Sequence, residues 1–423
     1  MTSSLSVDRP LLHRTVLPNG LVVIALENPV ADIVSARLLI KAGTGHEQRS
    51  QAGIFSLMAA LLTKGTHTLS SMEIAEAVES IGASLGSDAS ADYSLISLKT
   101  VSADFEPILA LAADIVRHPS FDEDELSLEK RLTLQSIRSM KEQPFTTAFN
   151  ALREAMYGAH PYSLPGIGSE ASVTALTRED LLAAHGAYFR PDNCVMVVAG
   201  RITPARAVAL AEQYLGDWAA PAAPVPPLIY PVLPTTPTHQ AIAQATNQAI
   251  VLVGYQAPSV KDPAYAALKL ISTYLGNGLS SRLFVELREK RGLAYDVSAF
   301  YPTRLGASQF VAHMGTAPEN QTVALTGLRY ETERLATEGL TPEELTASKS
   351  KLLGQYALGK QTNAQIGQLL GWYEILGLGI EFDDTFQAAI RAVTGAEVQA
   401  VAQRYLTQPY TVVLGPSNAA VEP

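Results

Sequence analysis

The chain has 423 residues, of which 47% are hydrophobic and 17% charged, and its net charge at pH 7 is -10. This length exceeds what one ordinary hydrophobic core occupies, so it predicts two domains of about 200 residues each. The composition is typical of a compact globular protein, and an acidic charge without a basic stripe argues against nucleic acid as a partner.

A single cysteine, Cys194, excludes an internal disulfide and any metal site built from several cysteines. It lies in an apolar run, which favours a buried thiol over a catalytic one. The first residues lack the basic start and apolar stretch of a secretory signal, and no run of about 18 apolar residues occurs. We therefore expect no membrane span and a cytoplasmic protein.

The first half of the chain predicts strands and helices in a definite order. Apolar runs bounded by turn residues predict strands, and threonine followed by acidic residues predicts the start of a helix. In chain order the main elements are two strands, a long helix, a shorter helix and a closing strand, namely Leu21–Leu26, Ile33–Ile40, Phe121–Ser136, Thr177–Tyr188 and Val195–Gly200.

The same order recurs after a proline-dense stretch, residues 219–239, which supports neither a helix nor a central strand. A long helix opens at Leu340, a shorter helix runs from Thr394 to Tyr405, and a strand closes at Gly415, at offsets of 215 to 219 positions. The repeat predicts an N-terminal domain 1–218, a linker 219–239 and a C-terminal domain 240–423. We expect an α+β fold in which each domain is an antiparallel sheet with helices packed on one side.

The segment Gly53–Thr66 predicts a buried helix that runs into a glycine turn. Together with the preceding Ala42-Gly43-Thr44-Gly45-His46-Glu47, it resembles the zinc-helix region of the pitrilysin and insulinase peptidases, in the branch that includes the mitochondrial processing peptidase. In these inverzincins the helix carries His-x-x-Glu-His, where two histidines bind zinc and the glutamate is the general base.

Alignment to that pattern places Ser56 and Ala60 at the two histidine positions and Ala59 at the glutamate. The third ligand of the family is a glutamate in the long helix, and its position falls near Ser136. Catalytic zinc needs three protein donors and an open position, and serine and alanine supply no imidazole or carboxylate. The resemblance therefore implies degenerate ligand positions and no catalytic zinc in this chain.

The eight histidines offer no alternative metal motif, because none pairs with another at helical i, i+4 spacing. His46 and Glu47 are adjacent, and neighbouring side chains point apart on an extended segment. His160-Pro161-Tyr162 resembles a family loop in the first half and favours a structural role.

A longer stretch in the second half, Ser280–Ser298, resembles the same family closely through its Leu-Arg-Glu-Lys-x-Gly-Leu-Ala-Tyr core. In the family an arginine, and a tyrosine seven positions later, reach the substrate near the zinc; here they match Arg288 and Tyr295. A guanidinium fork and a phenol suit a carbonyl oxygen that becomes an oxyanion. Taken without the resemblance, the two residues would indicate a solvated helix charge and a half-buried strand residue.

In the two-chain members of the family, a zinc-bearing subunit closes like a clamshell on a similar subunit without zinc. The resemblance implies that this chain forms half of such a clamshell, inactive alone, binds peptide or unfolded polypeptide, and supplies Arg288 and Tyr295 to the active site of a heterodimeric zinc metalloendopeptidase. Zinc then lies on the partner, and this chain needs no cofactor. The alternative is a non-catalytic scaffold or peptide-binding protein of the same fold, similar to the core subunits of a respiratory complex.

Overall fold

The computed structural model describes residues 12–416 of the chain. Within that range no helix is long and apolar enough to cross a membrane. In chain order the strands β1 to β11 are Leu12–Val16, Val22–Glu27, Val34–Ile40, Ser84–Ala89, Ser94–Thr100, Cys194–Gly200, His239–Ala243, Ala249–Ala257, Asp296–Phe300, Ser308–Thr316 and Tyr410–Gly415. The helices α1 to α14 are Ile54–Leu62, Ser71–Glu79, Phe105–Arg117, Glu123–Lys141, Pro144–Tyr157, Glu170–Ala175, Arg178–Tyr188, Pro204–Leu215, Tyr265–Gly276, Gln321–Glu333, Pro342–Leu358, Asn363–Ile375, Phe382–Ala392 and Gly395–Tyr405.

The strands form a six-stranded sheet, β1-β2-β6-β3-β5-β4, and a five-stranded sheet, β7-β11-β8-β10-β9, whose order matches that of the first sheet from β2 onward. The α+β class and the two similar halves are therefore confirmed. Each sheet contains one parallel pair, β2 with β6 and β7 with β11, whereas a wholly antiparallel sheet was expected. A closing strand that returns through helices can pair in parallel, which a tight hairpin cannot do.

Helices cover both faces of the first sheet. On one face α1, α3 and α8 contact the strands and enclose the larger core, which includes Val23, Leu38 and Met196. On the other face α12 contacts β2, β3 and β6, and its Leu370 and Ile375 complete a second cluster. The structure thus differs from the predicted arrangement with helices on one side, because strands that are apolar at successive positions need cover on both faces.

The structure forms two compact units, and each unit includes a segment from the other half of the chain. Within the described residues, the first unit comprises 12–133, 166–228 and 359–380, and the second comprises 134–165, 229–358 and 381–416. The first unit therefore contains α12 from the second half. The second contains α5 from the first half, which contacts β8 and β11. The contiguous domain division predicted above describes the sequence repeat, and the compact units cut across it.

The proline-dense segment contains no helix or strand between residues 219 and 238. The guanidinium of Arg190 holds its first part, donating to the carbonyl oxygens of Pro221 at 3.0 Å and Ala223 at 2.5 Å. In the second unit, the hydroxyl of Tyr410 donates to the carbonyl oxygen of Pro234 at 2.9 Å. This segment is thus fixed by side chains rather than by regular structure.

Candidate functional site

A buried carboxylate holds the start of α1, the helix that corresponds to the family's zinc helix. Glu47 is 4% exposed, and its side chain accepts the backbone N–H groups of Gly53 at 2.9 Å and Phe55 at 3.0 Å. Burial raises the pKa of Glu47 to about 8, although both hydrogen bonds favour the ionised form. The free N–H groups at a helix start are satisfied here by a side chain.

His46 likewise serves the backbone. Its Nδ1 accepts the N–H of Gly43 at 3.2 Å, and its ring contacts Tyr188 with centroids 5.5 Å apart. Burial lowers the pKa of His46 to about 4, so the ring is neutral at pH 7. His46 and Glu47 thus have separate structural partners, which agrees with their adjacent side chains pointing apart.

The three positions aligned with the zinc motif lie on one face of α1, because residues at i, i+3 and i+4 are neighbours on a helix. The hydroxyl of Ser56 donates to the carbonyl oxygen of Gly166 at 2.7 Å. Ala59 is buried, its carbonyl oxygen accepts from the hydroxyl of Ser87 on β4, and Ala60 is half-buried. This face of the helix therefore presents one hydroxyl and two methyl groups where the family presents ligands.

Ser136, aligned near the third ligand, is exposed on α4 and precedes the buried Ile137. It belongs to the second unit, whereas Ser56, Ala59 and Ala60 belong to the first. Across residues 12–416, no group of three or more histidine, cysteine, aspartate or glutamate side chains is placed to hold a metal ion.

Arg288 projects from a short π-helical segment, Phe284–Glu289, in the second unit. The N–H of Lys290 donates to the carbonyl oxygen of Val285 at 3.0 Å, five residues earlier, which widens the turn. Arg288 is exposed, and its guanidinium carbon lies 4.9 Å from the ring centroid of Phe284. Such wide turns are rare and often occur at functional sites.

Tyr295 follows on the strand side of a glycine turn. Gly292 has φ 61°, a left-handed conformation that ends the helical segment and that glycine adopts without strain. The backbone N–H of Tyr295 then donates to the carbonyl oxygen of Gly315 at 2.8 Å, beside β10, while its side chain is 60% exposed. Arg288 thus precedes the Gly292 turn and Tyr295 follows it, directly before β9, and both side chains are exposed to solvent.

Among the described residues, Arg288 contacts the ring of Phe284, and neither Arg288 nor Tyr295 has a side-chain hydrogen-bond or ion-pair partner. By contrast, Arg282 at the start of the same segment is paired with Glu331 at 2.9 Å and Glu286 at 3.3 Å. Arg282 thus anchors this region by ion pairs, whereas Arg288 is exposed and contacts the ring of Phe284.

Sequence reasoning missed two features of these regions. The anchoring role of Glu47 could have been inferred from an acidic residue shortly before a helix that begins with glycine. The contact between Phe284 and Arg288 follows from their i, i+4 spacing. The same reasoning assigned His160 a structural role, and its Nδ1 accepts the N–H of Tyr162 at 3.0 Å.

Comparison with known families agrees with this fold. The model described as insulinase, peptidase family M16, matches residues 22–170, and the model described as the peptidase M16 inactive domain matches residues 175–352. Together they cover more than half of the chain. The protein therefore belongs to the insulinase family of peptidases, M16.

Relatives align with almost the whole chain. An uncharacterized zinc protease of Mycobacterium tuberculosis is 28% identical over 417 residues, covering 96% of this chain and 94% of the relative. The uncharacterized zinc protease YmxG of Bacillus subtilis is 27% identical over 412 residues, covering 96% and 98%. Among solved structures, a peptidase M16 inactive domain from Pseudomonas fluorescens matches with a TM-score of 0.90 and 26% identity, covering 97% of this chain and all of that one. A protease from Helicobacter pylori has the same fold, with a TM-score of 0.89 at 22% identity, covering 96% of this chain and 100% of that one.

Proposed function

We propose that this chain is the zinc-free subunit of a heterodimeric zinc metalloendopeptidase, binding peptide substrate and supplying Arg288 and Tyr295 to a zinc site on a homologous partner chain. The observation that carries the proposal is a pair of exposed donors that form no side-chain hydrogen bond or ion pair within residues 12–416, in a chain whose zinc-motif positions hold Ser56, Ala59 and Ala60. A residue pair that stabilised only this fold would be expected to form such bonds within it.

The chemistry follows from the two side chains. Zinc on the partner supplies Lewis acidity and an activated water. The guanidinium of Arg288 and the phenol of Tyr295 donate hydrogen bonds to the scissile carbonyl oxygen, and these bonds strengthen as negative charge develops on it. Each such donor in a dry cavity is worth roughly 3 kcal/mol of transition-state stabilisation.

The test uses this chain mixed with the zinc-bearing homologue that it captures from its native cell extract. We expect no turnover of a quenched peptide by this chain alone and full turnover by the mixture. Arg288→Ala or Tyr295→Phe should lower kcat in the mixture by about a hundredfold, because a donor to the developing oxyanion is lost. Steady-state kinetics at matched subunit ratio measure the change.

Matched controls are available in the same unit. Arg291→Ala removes the same charge three positions away, and Tyr330→Phe removes a hydroxyl from another exposed tyrosine, on α10. Both controls should leave kcat within about twofold of the unsubstituted mixture, since neither side chain belongs to the proposed donor pair.

Unchanged turnover by the variants would favour the alternative, in which this chain is a non-catalytic scaffold or peptide-binding protein. If the partner binds this chain and turns over peptide equally well with Arg288→Ala and Tyr295→Phe, the chain contributes binding or structure and no donor. Zinc bound stoichiometrically by the purified chain alone, with peptide cleavage, contradicts the proposed division of labour altogether.

A further inference from the structure

Three cationic side chains of the second unit lack a carboxylate partner although the chain is acidic overall. They are Arg153 on α5, Lys269 on α9 and Arg304 in the turn between β9 and β10. Within residues 12–416, none of them forms an ion pair with aspartate or glutamate. Cations removed from water are normally paired, so this arrangement calls for an acceptor.

Arg304 is the least satisfied of the three. Its guanidinium carbon lies 5.3 Å from the ring centroid of Tyr162, and in the described part of the chain its side chain has no hydrogen bond. Its backbone is nevertheless fixed, because the N–H of Val260 donates to its carbonyl oxygen at 3.1 Å. A half-buried guanidinium on a fixed turn offers a planar donor fork to a ligand.

Arg153 reaches the same ring system from α5. Its Nε and Nη2 donate to the carbonyl oxygen of Tyr162 at 2.9 and 2.7 Å, and Nη2 also contacts the carbonyl oxygen of Leu164. Burial, and after it the charge of Arg304, lowers the pKa of Arg153 to about 10. The two guanidinium groups are therefore close enough to repel each other.

Lys269 lies on the other side of the Arg304 turn. Its Nζ donates to the carbonyl oxygen of Tyr301 at 2.8 Å and lies 5.5 and 5.4 Å from the ring centroids of Tyr265 and Tyr301. Burial, followed by the charge of Arg304, lowers the pKa of Lys269 to about 8. The positive charge of Arg304 thus repels the charges of both Arg153 and Lys269.

A buried imidazole belongs to the same cluster. His160 is 1% exposed, and its Nδ1 accepts a backbone N–H, so the ring hydrogen resides on Nε2. Within the described part of the chain, that Nε2 has no hydrogen-bond partner. The ring stacks on Tyr230 with centroids 4.2 Å apart and lies 4.5 Å from the ring of Tyr162, whose face Arg304 covers.

The carboxylate of Asp262, whose charge acts on Tyr301, already accepts hydrogen bonds from other groups. Asp262 accepts the N–H of Ala264 at 2.8 Å and the hydroxyl of Tyr405 at 3.4 Å. Among the described residues it has no ion pair with Arg304 or Lys269. Within residues 12–416 the cluster therefore carries three positive charges, and none of them is paired with a carboxylate.

We propose that the β9–β10 turn, through Arg304 with Arg153 and Lys269 beside it, binds a small oxyanion of the phosphate or carboxylate class. Such an anion would accept from the free fork of Arg304 and neutralise the mutual repulsion of the three cations. This site goes beyond the proposed function, since it uses neither Arg288 nor Tyr295. A free inorganic phosphate and the terminal carboxylate of a peptide are two sources of the same chemistry.

The test is calorimetric titration of the full chain with inorganic phosphate at constant ionic strength, with chloride as the replaced ion. We expect saturable binding near one equivalent, weakened at least tenfold by Arg304→Gln. Arg131→Gln is the matched control, because Arg131 is exposed on α4 in the other unit and should leave binding unchanged. Lys269→Met is a second variant that should also weaken binding.

The outcomes decide the proposal and its ligand. N-acetylalanine titrated against its amide asks whether a peptide carboxylate binds in place of phosphate, since only the acid carries the anion. The absence of saturable binding for both anions overturns the site, as does equal binding by the unsubstituted chain and Arg304→Gln. Equal weakening by Arg131→Gln also overturns it, because the effect would then be general charge attraction.

Discussion

The two units share the order of five strands but present different side chains at their candidate sites. In the first unit α1 retains its anchor, Glu47, while its motif face carries Ser56 and alanines. In the second unit the helix-to-strand turn retains Arg288 and Tyr295, exposed and unpaired within the described residues. The comparison teaches that packing and backbone anchoring preserve a fold after its reactive groups are lost, because those groups contribute little to the core.

Each sheet is covered by a helix that packs closely on it at a glycine. In one unit the glycine lies on the helix, and in the other it lies on the strand. On the first sheet the glycine lies on the helix: a Cβ at Gly371 of α12 would come 2.4 Å from Cδ1 of Leu39. On the second sheet it lies on the strand: a Cβ at Gly254 of β8 would come 2.6 Å from Sδ of Met156 on α5. In each unit the missing side chain lets a helix from the other half of the chain approach the sheet.

The largest expected effect comes from separating the halves. Residues 12–218 alone lack α12 and leave five sheet residues uncovered, Val22, Ile24, Leu39, Val195 and Val197. At roughly 2 kcal/mol for each buried apolar side chain, the loss is about 10 kcal/mol, comparable to the whole stability of a domain. We expect this fragment to bind a hydrophobic dye and to unfold without cooperativity, measured by fluorescence and circular dichroism.

Co-expression with residues 219–416 is the control, because that fragment supplies α12 and lacks α5. The two fragments should co-elute from a sizing column and together recover cooperative unfolding. A monomeric 12–218 fragment that unfolds cooperatively and binds no dye would contradict the importance of the exchanged helix.

Overpacking at the α12 contact should have the next largest effect. Gly371→Leu places side-chain atoms where Leu39 and Val197 lie, and we expect a loss of about 3 kcal/mol in the free energy of unfolding. The matched control is Gly354→Leu on α11, where a Cβ meets no atom within 4 Å. There the better helix propensity should add up to about 1 kcal/mol. Urea unfolding measures both, and equal effects would show that the helix does not pack closely on the sheet.

Glu47→Gln tests the anchor of α1. An amide can accept one of the two N–H groups but turns its own NH₂ toward the other, which should cost about 2 kcal/mol.

The pH dependence of stability tests the same anchor. The folded pKa of Glu47 is raised from 4.5 to about 8, so between these values the native state holds a proton that the unfolded chain releases. The stability of the parent protein therefore falls as pH rises through that window. Since Gln lacks this dependence, the difference between the two proteins should narrow from pH 5 to pH 8 in urea unfolding; a constant difference would contradict the raised pKa.

The smallest effect is expected at the strand glycine. In Gly254→Ala the new methyl group meets the thioether of Met156 and the ends of the Leu152 side chain, which are flexible and can shift. We expect a change within about 1 kcal/mol, because alanine also reduces the entropy of the unfolded chain. A loss as large as that of Gly371→Leu would show that α5 is held as rigidly as α12.

Local elements could be predicted well from the sequence. Thr177 caps a helix that ends at Tyr188, as predicted. Its hydroxyl oxygen accepts the N–H of Asp180, and the carboxylate of Asp180 accepts the N–H of Thr177. The strand Cys194–Gly200 and the repeated order of elements also follow from local patterns. For the candidate site, the sequence singled out Arg288 and Tyr295 as candidates but not the π-helical turn between Phe284 and Glu289, for which we found no local signal.

By itself, the sequence determined several of the helices and strands, that two similar halves exist, and that imidazole and carboxylate are absent from the aligned zinc positions Ser56, Ala59 and Ala60. Those properties depend on neighbouring residues or on residue identity alone. Only the tertiary structure decided that α5 and α12 pack in the unit formed mainly by the other half of the chain and that each sheet includes a parallel pair. It also decided that Arg153, Lys269 and Arg304 have no ion pair with a carboxylate among residues 12–416. These outcomes depend on contacts between residues far apart in the chain, where burial of one sheet face competes among several apolar helices and no local pattern selects the partner.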